Sequence, residues 1–79
     1  MQAYDDARKR LSEAVKRARR KIGLSQEALA LQAGINRSYV GQIERGVGNP
    51  SLQVMVKLAS TLQLDVVDLF RREKEERRR

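Results

Sequence analysis

The chain has 79 residues, enough for one domain, and at this size only about 60% of the unfolded surface can be buried. It contains no cysteine and no histidine, which excludes disulfides, zinc sites built on those residues, Cys or His nucleophiles and imidazole acid–base catalysis. The net charge of +7 points to a polyanion as partner (DNA, RNA or an anionic membrane surface) or else to solubility alone.

The opening Met-Gln-Ala-Tyr-Asp-Asp has neither the basic start nor the apolar stretch of a signal peptide. No apolar run approaches the ~20 residues that span a bilayer. The expectation is a soluble, cytoplasmic protein that binds no membrane. Helical spacing begins at about Asp6 and runs to Ile22. Leu11, Val15, Ala18 and Ile22 share one face at steps of four, three and four. Basic residues fill the other faces: eight fall between Arg8 and Lys21, where Glu13 is the only acid.

Ser25 can cap a second helix from Gln26 to about Ala33, with Leu29, Ala30 and Ala33 facing inward. Asn36 can cap a third, Arg37 to Arg45, with Val40 and Ile43 inward. Val47-Gly48-Asn49-Pro50 reads as a loop. Ser51 then caps a fourth helix, Leu52 to Leu62, with Leu52, Met55, Leu58, Ala59 and Leu62 inward. Asp65 caps a short fifth helix carrying Val66, Leu69 and Phe70, and Asp68 at its third position completes an approximate capping box. Gly23, Gly34 and Gly46 each follow a helical segment, as C-terminal glycines do. Nothing reads as a strand. The tail from Arg71 to Arg79 carries Glu73–Arg77 and Glu75–Arg79 pairs at helical spacing, but no apolar residue to anchor it, and it is expected to be solvated and frayed.

The informative stretch is LSQEALALQAGINRSYVGQIERG, Leu24 to Gly46. Two short helices are joined by Gly34-Ile35-Asn36, and a leading glycine in so short a connection forces a sharp angle, the geometry of a helix-turn-helix. Ala30 is small enough for the helices to approach, Ile35 fills the space under the turn, and Val40 and Ile43 fix the second helix on the first. Arg37, Ser38, Tyr39, Gly41 and Gln42 are left on the outside. Gly46-Val47-Gly48 is not a phosphate loop, because it follows a helix and lacks the lysine.

The sequence resembles the Cro/repressor-type helix-turn-helix proteins, the XRE family, from about Leu11 to Phe70. RRKIGLSQEALA, ERG with NPSL, KLASTLQL and DLF carry the likeness. Asn36-Arg37-Ser38-Tyr39 is similar to the start of the recognition helix in restriction-modification controller proteins; single-domain phage-type repressors are also similar. The resemblance implies an all-α, lambda-repressor-like fold of five short helices. It implies that Gln26 bonds a phosphate and that Arg37, Ser38 and Gln42 face base edges. Tyr39 would pack on the sugar-phosphate backbone or a thymine methyl. Arg45, Asn49 and Ser51 would meet a second run of phosphates, and Arg19 and Glu44 would form a structural salt bridge. Gly41 departs from the family, where a side chain is usual: it either weakens the recognition helix or admits close approach to DNA.

The residue chemistry leaves alternatives open. Arg37 can take guanine O6 and N7 together or a phosphate; Gln42 can read adenine or simply be solvated. Gln26, at a helix N-terminus, suits a phosphate through free amides and dipole, or is a plain surface residue. Glu44, an acid on a DNA-facing helix, is better placed in a buried pair. Residues 1–79 are expected to form one domain, core about 8–70 and charged tail 71–79. The expected function is sequence-specific transcriptional regulation by a dimer that reads double-stranded operator DNA in the major groove. No enzyme activity, cofactor, metal or small-molecule ligand is implied. Dimerisation is expected through Val67, Val56 and Phe70, since outward valines on so short a chain call for cover. The rival reading is an antitoxin-like interaction module for which DNA binding is secondary.

Overall fold

The structure, a computed structural model, describes residues 2–72. Among them are four α-helices, α1 (Gln2–Lys21), α2 (Gln26–Ala33), α3 (Arg37–Glu44) and α4 (Leu52–Thr61), then one 3₁₀ turn, Val66–Phe70. The expected fifth helix is therefore a single short turn. Its start is still fixed as the sequence suggested, by the Asp65 N–H donating to Asp68 Oδ2 at 2.9 Å. The Glu73–Arg77 and Glu75–Arg79 pairs lie outside the described residues. No helix among the described residues is long and apolar enough to cross a membrane.

Each helix starts and stops where the chemistry of its ends requires. Ser25 Oγ accepts from the Ala28 N–H at 2.9 Å, Asn36 Oδ1 from Ser38 at 2.7 Å and Ser51 Oγ from Val54 at 3.1 Å. At the other ends the same bond recurs, a backbone N–H reaching the carbonyl five residues back. Leu24 pairs with Arg19 (3.0 Å), Ile35 with Ala30 (2.9 Å), Val47 with Gln42 (3.0 Å) and Leu64 with Ala59 (2.8 Å). That closure needs a left-handed residue just before the donor. Gly34 supplies it at φ 72° at the helix-turn-helix corner, whereas after α4 Gln63 must adopt φ 62° with a side chain in place.

The core is Leu11 and Val15 of α1, Leu29, Ala30 and Ala33 of α2, Val40 and Ile43 of α3, Leu58, Ala59 and Leu62 around α4, and Leu69. Ala18, Ile35, Met55, Val66 and Phe70 pack against it half-buried, but two residues expected inward neither belong to it nor pack against it. Ile22 is 43% exposed, because α1 ends at Lys21 and the chain reverses there, so Leu24 takes the inward place. Leu52 is 65% exposed: in the first turn of α4 it lies beyond the edge of the core, and Val54 packs inward with Met55. Helix α1 also begins at Gln2 rather than near Asp6, with Asp5–Arg8 and Asp6–Arg10 ion pairs at 2.8 and 3.0 Å along its first turns.

Candidate nucleic-acid interface

Helices α2 and α3 pack on each other through Leu29, Ala30, Val40 and Ile43, all at most 3% exposed. Their outer side is polar. Arg37, Ser38 and Gln42 are exposed on α3, as expected, and so are Arg45 just past its end and Asn49 and Ser51 beyond. Ser51 Oγ accepts the α4 cap bond, and its hydroxyl proton is left for a ligand. The Gln42 side chain folds against the following loop, where its Oε1 lies 3.5 Å from the position a Cβ at Gly48 would take.

Two residues expected on the outside are placed differently. Tyr39 is half-buried, packed against the core. Gly41 is buried, since it faces the start of α2 and lies beneath the Gln26 and Arg45 side chains.

The expected Arg19–Glu44 pair is present and bidentate. Arg19 Nε donates to Glu44 Oε2 at 2.6 Å and Nη2 to Oε1 at 2.9 Å, with side chains only 12% and 4% exposed. Arg19 Nη1 also donates to the Leu24 carbonyl at 2.8 Å, and Gln26 Nε2 donates to Glu44 Oε1 at 3.0 Å. The Arg19–Glu44 pair thus ties α1, the turn after it, α2 and α3 together, the guanidinium reaching Leu24 and the carboxylate reaching Gln26. Burial pushes the Glu44 carboxyl up, but the bonds from Arg19 and Gln26 and the charges of Arg19 and Lys16 outweigh it and hold the group below its ordinary range. Glu44 is therefore a neutralised strut under the polar face, and it does not repel phosphate.

Sequence reasoning missed the Arg19–Leu24 and Gln26–Glu44 bonds, and a third besides. Ser12 Oγ donates to the Glu44 carbonyl at 2.6 Å in a buried site, anchoring the end of α3 to α1. The signal was a small polar residue on the inward face of α1, which must find a partner there. Gln26, expected as a phosphate contact or a plain surface residue, is bonded to Glu44, and that bond fixes its carboxamide against α3.

The sequence profile of a helix-turn-helix family, HTH_3, matches residues 15–69, from Val15 of α1 through the 3₁₀ turn. This chain belongs to that family. Among its helix-turn-helix relatives, the control protein C.SmaI of Serratia marcescens is 37% identical over 70 residues, covering 89% of this chain and 83% of the relative. The transcriptional regulator SlrR of Bacillus subtilis is 42% identical over 53 residues, but this chain spans only 35% of its length. The solved restriction-modification controller protein C.AhdI of Aeromonas hydrophila superposes with a TM-score of 0.76 at 41% identity, covering 80% of this chain and 96% of that one. SinR, the master regulator for biofilm formation solved in complex with DNA, superposes at 0.73 with 34% identity over 77% of this chain and 98% of that one. DNA-binding transcriptional regulation is the function these helix-turn-helix proteins share.

Proposed function

We propose that this chain is a sequence-specific transcriptional regulator that binds operator DNA as a homodimer, with the role of a restriction-modification controller. The observation that carries the reading is α3 itself. Its exposed Arg37 and Ser38 sit at the leading end, with exposed Gln42 more than one turn further along, and the helix is held by the Val40–Ile43 core contact and the Arg19–Glu44–Gln26 clamp. In helix-turn-helix docking that leading end enters the major groove. Arg37 takes guanine O6 and N7, and Ser38, Tyr39 and Gln42 complete the base contacts. Gln26, Arg45, Asn49 and Ser51 hold flanking phosphates and set the register. The mechanism is occupancy: bound protein covers a promoter or recruits polymerase beside it, in the cytoplasm.

One recognition helix reads too few base pairs to find a site in a genome, so two copies are needed, with half-sites ~34 Å apart. Val67, 63% exposed, and Val56, 48% exposed, form the contact between copies, with the half-buried Phe70 as its edge. Residues 8–70 act as the working domain. The test is selection of bound sequences from random duplex DNA. A recovered palindrome with half-sites one helical turn apart supports the reading. Recovery of unrelated sequences overturns it in favour of an interaction module.

A further inference from the structure

The trailing end of α3 is held by α1 in two different ways. Arg19 grips the Glu44 carboxylate, at the tip of a flexible side chain, whereas Ser12 grips the Glu44 main chain. The Ser12 hydroxyl donates to the Glu44 carbonyl at 2.6 Å, and both residues are buried. That carbonyl belongs to the last residue of α3 and is among those a helix end leaves open. The turn beyond does not close on it: the N–H groups of Arg45, Gly46 and Val47 go to the Gly41, Ile43 and Gln42 carbonyls. Ser12 is thus a cap for the end of α3 supplied by another helix, from 32 residues away in sequence.

We propose that Ser12 is a positioning residue: it sets the angle at which α3 presents Arg37 to DNA, and so determines sequence preference without touching DNA. This rests on the reading that the leading end of α3 enters the major groove. Val40 and Ile43, both buried, form the contact about which the helix can tilt. At about 1.5 Å per residue, Glu44 lies roughly 4 Å from the middle of that contact and Arg37 roughly 7 Å on the other side. A displacement of about 1 Å at the trailing end therefore becomes roughly 2 Å at the Arg37 main chain, in the opposite sense. Without the Ser12 hydroxyl the buried carbonyl has a reason to move, since an unpaired acceptor gains by turning toward water or another donor. The Arg19 fork does not prevent this, because the Glu44 side chain can rotate as the main chain shifts. The two kinds of DNA contact respond differently. A guanidinium on two acceptors of one guanine must keep both distances within a range of about 0.5 Å and its plane aligned with the base. A contact to phosphate carries no base information, and its loss or shift does not change which sequence is preferred. Gln42 lies within the span of the pivot and moves least.

Ser12→Ala on the full chain is the test, beside wild type, Arg37→Ala, the double variant Ser12→Ala/Arg37→Ala, and Ala18→Gly. Ala18 lies further along α1, where it faces a groove shared with Leu62 and Leu64, so Ala18→Gly weakens the same helix away from α3. Affinities are titrated on the duplex recovered by selection and on a scrambled duplex of equal length. Salt is fixed, and the temperature is one at which melting curves show every variant folded. Ser12→Ala should lower the preference for the selected duplex by roughly tenfold, within the about 5–150-fold that one bidentate base contact supplies. Its affinity for the scrambled duplex should stay that of wild type. Ala18→Gly should keep the wild-type preference. In the double variant the preference should fall little beyond that of Arg37→Ala, because no fork is left to misplace. Ser12→Thr keeps the hydroxyl and, where it melts like wild type, should keep the preference. Wild-type preference in Ser12→Ala, or an equal loss on both duplexes, makes Ser12 a structural residue and overturns the inference, with the regulator reading intact. An equal loss of preference in Ala18→Gly overturns it too, because destabilisation alone would then account for the change. So does a fully additive loss in the double variant, since the effect would not run through Arg37. A Ser12→Thr protein that melts like wild type but has lost the preference also overturns it. A wild type with no preference sinks the regulator reading and this inference together.

Discussion

Replacing Glu44 by alanine strips two bonds from Arg19 and one from Gln26 at once. The Arg19 side chain is only 12% exposed, so water cannot readily take the place of the carboxylate, and a charged guanidinium is left with its Leu24 carbonyl bond alone. Removing one partner of a buried pair costs about 3–5 kcal/mol, chiefly through the charge left behind. A chain of this length has roughly 4–12 kcal/mol in total, so the loss is a large share of what keeps it folded. At about 4–8 °C per kcal/mol the melting temperature should drop by roughly 12–40 °C. Arg19→Ala should cost a similar amount, since it leaves a carboxylate that is 4% exposed with the Gln26 bond and only the more distant charge of Lys16. The double variant removes both charges together and should be less damaging than the sum by about 1–3 kcal/mol. Urea and thermal melts of the four proteins give the cycle. Single losses that add in the double variant would refute the claim that this pair braces the interface.

The depressed Glu44 carboxyl makes stability fall with acid. A group whose pKa is lower folded than unfolded contributes fully above the unfolded value, and that contribution is lost as pH falls through the folded one. Melting temperatures from about pH 7 to about pH 2 should therefore decline more steeply for wild type than for Glu44→Gln; parallel curves would contradict this. Val67→Asp should shift the proposed dimer toward monomer in sedimentation while the far-ultraviolet spectrum stays helical, because Val67 is 63% exposed; unchanged association would contradict the proposed contact. Gln63→Gly relieves a side chain held at φ 62° and should raise stability by about 0.5–1 kcal/mol in urea melts. A loss there would mean that the Gln63 side chain contributes something its backbone does not.

Most of the frame was legible because the ends of the helices are written in local chemistry. Ser25, Asn36 and Ser51 each had an oxygen where the first free N–H groups must go, and each cap formed. The Arg19–Glu44 bridge was legible for a different reason, since an acid on a DNA-facing helix needs a nearby cation, and the family likeness named it. The failures came at edges, where periodicity assumes that a helical face continues. Ile22 kept the spacing of α1 but fell past its last turn, and Leu52 kept the spacing of α4 but preceded the part that meets the core. Gly41 and Tyr39 failed for a third reason. Which flank of α3 is covered depends on where the start of α2 lies, and that is set by packing between helices and not by either helix's own pattern. Ser12 and the Gln26–Glu44 bond were invisible for the same cause, with partners 32 and 18 residues away.

The central claim is that α3 reads sequence, and paired titration tests it most directly. Wild type, Gln26→Ala and Arg37→Ala would be measured on the duplex recovered by selection and on a scrambled duplex of equal length, at one fixed salt concentration. Wild type should prefer the selected duplex. Gln26→Ala should weaken both duplexes similarly, because a phosphate contact carries no base information. Arg37→Ala should lose about 1–3 kcal/mol on the selected duplex and far less on the scrambled one. Equal losses on both would make Arg37 a phosphate contact and move the reading to Ser38, Tyr39 and Gln42. Equal affinity of wild type for the two duplexes would contradict the account and leave a helical module whose business is another protein.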